Sequence, residues 1–181
     1  MTRDPMLYTF DGKSPIIGKE TYVSETATLI GDVQIGENCY IGHGAILRAD
    51  YGTITVGNGT AVEEAVVVHA PPSQLCEIGA RVTIGHGAII HSAFIGDGAT
   101  IGMGAILSIR SRVGAGSIVA EGTVVKWEQV VPDGVVFAGN PARLVRQVSE
   151  KDRQTWNWGK QLYIDLAAKY LRLGMHKSAP E

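Results

Sequence analysis

The sequence predicts an all-β solenoid, a parallel β-helix of about six triangular coils that ends in a C-terminal α-helix. Three observations carry this expectation. Aliphatic residues recur at six-residue steps, first at Ile17, Val23, Leu29, Ile35, Ile41 and Leu47, then at Val56, Val62 and Val68, and then at Ile78, Ile84 and Ile90. A last run passes from Ile95 through Ile101, Leu107, Val113 and Val119 to Val125. Glycine often follows such an anchor directly, as in Ile35-Gly36, Ile41-Gly42, Ile84-Gly85 and Ile101-Gly102. Four residues after an anchor the side chain is usually small, as at Ala27, Cys39, Ala45, Thr60, Ala88, Ala99, Ala105 and Ser117.

A period of six matches neither a helix at 3.6 nor one long strand at 2, but it fits short strands joined by tight, glycine-assisted turns. Three such units close a coil of roughly eighteen residues, and successive coils stack as parallel strands about 4.8 Å apart with the anchors inward. Residues 1–16 form a lead-in. The coils occupy 17–131, and GNPARLVRQV at 139–148 leads the chain away, so the repeat region spans 17–148. Ser149 and Asp152 have the spacing of a capping box. The Gln, Leu, Ala, Lys and Arg content of 150–173 then predicts a helix that Gly174 ends, within a segment 149–174. Trp156, Trp158, Leu162, Tyr163, Leu166 and Tyr170 supply its apolar stripe, for packing on the coil or on a neighbouring subunit. The tail 175–181 contains His176, read as a surface residue.

Composition narrows the function classes. With 181 residues, 45% hydrophobic and 19% charged, the chain has the size of one well-packed domain. A formal charge of −2 gives no basic footprint for nucleic acid. No run of eighteen apolar residues occurs and the N-terminus lacks the apolar core of a signal peptide, so a soluble cytoplasmic protein away from membranes is expected. Cys39 and Cys76 have no metal-ribbon spacing and are expected as buried reduced thiols.

The repeat assigns every residue a face, labelled a from Ile17, b from Val23 and c from Leu29. His69 follows the face-c anchor Val68 and His91 follows the face-c anchor Ile90. They lie twenty-two residues apart, one coil plus the four-residue insertion in HAPPSQLCEI. Equivalent positions on adjacent coils let two imidazoles converge on one ion. His86 comes two residues after the face-b anchor Ile84, and a face about 15 Å wide separates it from that pair within one chain. Face b of one subunit laid on face c of another would unite the three. Such a heterologous contact repeats until a ring closes, and a triangular prism favours a three-fold ring. The spacing alone leaves open both metal binding and three solvated surface histidines.

Arg48-Ala-Asp50, VVVHAPPSQ, VTIGHGAIIH, IGMGAIL at 101–107 and AGNPAR together resemble the γ-class carbonic anhydrases of the hexapeptide-repeat family. The nearest branch is that of the carnitine- and phenylacetate-operon accessory proteins. The resemblance covers about 16–148 well and the terminal helix loosely. It implies a left-handed β-helix and a homotrimer whose metal ligands are His69 and His91 of one subunit and His86 of the next. It also implies Zn2+ as the metal, with Fe2+ or Co2+ equally compatible with nitrogen ligation, and metal-bound hydroxide that attacks carbon dioxide to give bicarbonate. Arg48 and Asp50 match the family's Arg-Gly-Asp, with Ala49 in the glycine's place, a pair that orders the interface beside the metal.

The chain departs from the family at TAVEEAVVVH, where many relatives carry Asn-x-Gln-Asp and this sequence has Ala61, Glu63 and Glu64. A glutamate there can accept a proton or orient the metal-bound water, so Glu63, Glu64, Arg48 and Asp50 are the candidate catalytic residues. Glu64 shares a column with His43 and His86, a prospective polar ladder in which His43 either shuttles protons or satisfies a surface hydrogen bond. Three other activities fit the same coil. They are a metal-dependent thioesterase acting on a small acyl substrate carried by coenzyme A, a hexapeptide acyltransferase, and a non-catalytic trimeric scaffold.

Overall fold

The anchors point inward as the periodicity requires: from Leu29 to Val131 none is more than 4% exposed. A computed structural model describes residues 5–175, so the tail with His176 lies outside the described residues. Within it the chain winds as a parallel β-solenoid of about seven turns, as expected of a left-handed β-helix. Face b is a sheet of parallel strands from Tyr22–Val23 to Val135–Ala138, closed by the antiparallel strand Arg143–Gln147. Faces c and a belong to one sheet, because the strands Thr28–Ile35 and Ile46–Val56 run through the corner between them.

The coil is longer than the six turns expected. Met6–Tyr8, read as lead-in, pairs in parallel with Thr28–Ile30, and an end strand left unpaired would expose its backbone donors and acceptors. The glycines also act differently from expectation. Left-handed backbone falls three residues after the anchor, at Gly44, Gly87 and Gly104 and equally at Asn38, Ala65 and Arg81. The glycine directly after an anchor instead allows adjacent coils to approach. A Cβ on Gly85 would lie 2.8 Å from the Met103 amide nitrogen, and one on Gly42 would lie 2.8 Å from that of Glu64.

Helix α1, Glu150–Leu173, begins with the predicted reciprocal capping box of Ser149 and Asp152, and Gly174 caps its C-terminus. Tyr163, Leu166, Ala167 and Tyr170 pack on Tyr22, Tyr40 and Ala61 of face b. Trp158 and Leu162 take no part in this, being 69% and 49% exposed on the far side of the helix. The helix therefore covers face b, and face b cannot be laid on a partner's face c as the repeat alone suggested. Faces a and c are both left open, and face c carries the more continuous apolar column. Its outward column, in register from coil to coil, is Ile46, Val67, Ile89, Ile106 and Val124. Cys39 and Cys76 are buried and free. Among the described residues no helix is long and apolar enough to cross a membrane.

Candidate metal centre

Parallel pairing places the two face-c histidines. Arg48 of Ile46–Val56, His69 of Val67–His69 and His91 of Ile89–His91 are register partners on neighbouring strands, where the chain turns from face c to face a. The imidazoles of His69 and His91 stack with centroids 5.1 Å apart and planes 21° from parallel. Beside them Arg48 Nη1 donates to Asp50 Oδ2 at 2.6 Å. Asp50 Oδ1 lies 3.8 Å from His69 Nε2, too far for a hydrogen bond. Both atoms are buried without a hydrogen-bond partner. Burial works to raise the Asp50 carboxyl, but the Arg48 guanidinium outweighs it and holds the group below its usual range. Burial, then the charges of Arg48 and His91, push His69 down, toward the neutral imidazole that a metal requires.

His86 occupies the other corner of face c, in the turn that follows Thr83–Ile84. The same turn repeats on successive coils, where the amides of Ala65, Gly87 and Gly104 donate to the carbonyls of His43, Glu64 and His86. Glu64 Oε2 lies 2.7 Å from His86 Nδ1 and Glu63 Oε2 lies 3.1 Å from His86 Nε2. Glu63 also accepts from the His86 backbone amide at 3.1 Å. Behind the two carboxylates stand two phenols. Tyr40 donates to Glu64 Oε1 at 2.7 Å, and Tyr163 of α1 bonds to Glu63. Burial pushes Glu63 up. Burial acts on Glu64 in the same sense, but the Tyr40 hydroxyl, a backbone amide and the neighbouring imidazoles overcome it and hold that carboxyl down. An ionised Glu64 that accepts from Nδ1–H leaves Nε2 to present its lone pair once Glu63 is drawn away from it.

Two groups result. Arg48, Asp50, His69 and His91 gather at the c/a corner, while Glu63, Glu64 and His86 gather at the b/c corner. Within one chain, among the described residues, no three His, Cys, Asp or Glu side chains are arranged to hold a metal ion. The expected ladder through His43 is incomplete. His43 and Glu64 do share a column, but His43 Nδ1 hydrogen-bonds Ser24 Oγ and the ring sets its edge against Tyr22 and Tyr170. Neither phenol is marked as a site residue by the sequence: Tyr163 reads there only as part of the helix's apolar stripe, and Tyr40 carries no signal.

The donor set suits a divalent ion that prefers nitrogen. His69 offers a buried, unpartnered Nε2 beside the stacked His91 ring, and His86 has its Nδ1 committed to Glu64. Glu63 occupies the remaining nitrogen of His86 and would have to move aside for a metal there.

A family model described as bacterial transferase hexapeptide (six repeats) matches residues 14–49. Among curated proteins the chain is 36% identical over 168 residues to γ carbonic anhydrase 2, mitochondrial, of Arabidopsis thaliana, covering 90% of this chain and 60% of that protein. It therefore spans about 60% of the length of that relative. It is 34% identical over 174 residues to the carnitine operon protein CaiE of Proteus sp. (strain LE138), covering 96% of this chain and 88% of the relative. Of solved structures, a hexapeptide transferase family protein from Anaplasma phagocytophilum superposes with a TM-score of 0.87 at 34% identity. That match covers 91% of this chain and 98% of the other.

Proposed function

The chain belongs to the hexapeptide-repeat family, in the group of the γ carbonic anhydrases and the carnitine-operon proteins, and from that premise we propose that it is a γ-type carbonic anhydrase-like enzyme, a metal-dependent lyase that converts carbon dioxide to bicarbonate at the interfaces of a homotrimer. The observation that carries the reading is the in-register stack of His69 and His91 with a buried, unpartnered Nε2, matched by a third histidine on the opposite corner of the same face. The apolar outward column of face c supplies the contact surface. Burying it around a three-fold axis sets the b/c corner of one subunit beside the c/a corner of the next, which unites His86 with the His69 and His91 pair.

His69, His86 and His91 would hold Zn2+, or Fe2+ or Co2+, which supplies a Lewis acid and a nucleophile derived from water at neutral pH. Glu64 fixes the His86 tautomer, and Tyr40 keeps Glu64 in place. Glu63, which burial shifts upward, is the proton acceptor once displaced from His86. Arg48 fixes Asp50 beside the His69 ring, so that a carboxylate and a guanidinium border the metal site. A second reading, hydrolysis or transfer of an acyl group carried by coenzyme A, is favoured by the match of residues 14–49 to a transferase repeat model.

Metal content, subunit mass and carbon dioxide hydration, measured on one preparation alongside His86→Ala, test the proposal. About one metal per chain in a trimer, with metal and hydration both lost in the variant, is the expected result. A trimer that binds metal without hydrating carbon dioxide would shift the assignment to acyl chemistry or to a scaffold, and a chain without metal affinity would end it.

A further inference from the structure

Lys160 lies on the inner side of α1 and is 2% exposed. Its Nζ donates to Thr100 Oγ1 of face b at 2.7 Å and stands 5.6 Å from the centroid of the Trp156 ring. Among the described residues no ion pair includes it. A cleft of about 140 Å³ opens between α1 and face b, bordered by Thr100, Asp152, Arg153, Trp156 and Lys160. The Asp152 carboxylate is already bound by Arg146 and Ser149, so the charge that acts on the amine is the guanidinium of nearby Arg81, while Arg153 borders the same cleft.

A buried ammonium with no ion-pair partner, Arg81 nearby and a second arginine on the rim of its cleft is in the wrong charge state for its surroundings. Burial first, then Arg81, lower its pKa to about 8, which leaves on the order of a tenth as free amine near neutrality. The same arginines favour an anion at that place. A cleft that holds several water-sized molecules also has room for one carboxyl group.

We propose that Lys160 is a carbon dioxide acceptor that becomes N-carboxylysine in the cleft between α1 and face b. The unprotonated Nζ lone pair forms a nitrogen to carbon bond with dissolved carbon dioxide, and one π pair of the C=O group moves onto its oxygen. The nitrogen then loses its extra proton to water. Nothing is oxidised or reduced, and no other reactant is needed. The new carbamate accepts from the Thr100 hydroxyl and the Arg153 guanidinium. A charge of +1 becomes −1 between two cations, which ties α1 more firmly to face b. Because α1 also carries Tyr163, the modification would couple dissolved carbon dioxide to the seating of Glu63 beside His86. The carbamate itself does not depend on the anhydrase reading, since dissolved carbon dioxide is the only reagent.

The test equilibrates the whole protein with 13C-bicarbonate and carbon dioxide near the pKa of the amine. Carbamates are trapped with triethyloxonium and located by peptide mass spectrometry. The expected result is a 13C-labelled ethoxycarbonyl group on Lys160 that is absent in Lys160→Met, with about tenfold weaker dependence on carbon dioxide in Thr100→Val, which loses one hydrogen bond to a charged group. Unmodified Lys160 in the wild-type protein, alongside trapped adducts on exposed amines such as Lys151, would overturn the proposal without recourse to any variant. Equal labelling in Thr100→Val would overturn the role given to the cleft.

Discussion

Replacing Tyr40 with phenylalanine removes one hydroxyl from a ring stacked 5.6 Å from that of Tyr22 and leaves the packing against Ala61 and Ala167 intact. What is lost is the 2.7 Å bond to Glu64 Oε1. A hydrogen bond to a charged group contributes about 1.5 to 3 kcal/mol. The Glu64 side chain is 34% exposed, so water replaces part of the bond and the expected loss is about 1 to 2 kcal/mol at neutral pH. The sign of the pH dependence follows from the downward shift of Glu64. A carboxyl held below its unfolded value stabilises the fold above that value and loses its contribution as pH falls through the folded one. The Tyr40→Phe deficit should therefore be full at neutral pH and shrink in acid, below the ordinary carboxylate value of 4.5. Urea unfolding at fixed protein concentration, near neutrality and in acid, measures it. A deficit that does not change with pH would show that the phenol does not stabilise the ionised Glu64, and the proposed support of His86 would fail with it.

Ile90→Ala should destabilise the protein by about 2 to 5 kcal/mol, because the side chain is fully buried between two coils directly before His91; a loss below about 1 kcal/mol in urea would contradict the packed interior. Ser149→Ala should lower stability by about 1 kcal/mol through loss of the reciprocal cap of α1, read as a lower Tm. Stripping metal with a chelator should lower Tm and dissociate the subunits, because an ion bound only by the assembled protein stabilises it by mass action; unchanged melting and mass would contradict a metal held between subunits.

The coil was legible because each turn repeats the same inward position, so a period survives a four-residue insertion and still places His69 beside His91. The corners were less so. Asn38, Ala65 and Arg81 adopt left-handed backbone without glycine, while the conspicuous glycines serve the spacing between coils. The apolar residues of α1 announced a packed helix but not the face it covers, since Trp158 is as apolar as Tyr163 and points the other way. The proposed metal ligands come from spacing and resemblance, and the parallel register of His69 with His91 agrees with that spacing. Their supports could not be read in this way, because the Tyr40 and Tyr163 hydroxyls reach Glu64 and Glu63 from the neighbouring coil and from the helix, contacts that no local pattern encodes.

The proposed site requires His86 to serve an ion held by another subunit's His69 and His91, and complementation tests this most directly. His69→Ala and His86→Ala proteins, each expected to lack tightly bound metal, are refolded together in equal amounts and the metal retained is measured. About a quarter of wild-type occupancy should return, because that share of interfaces in a random mixture joins an intact His86 to an intact His69 and His91 pair. Full metal retention by either variant alone, or no recovery in mixed trimers, would contradict it.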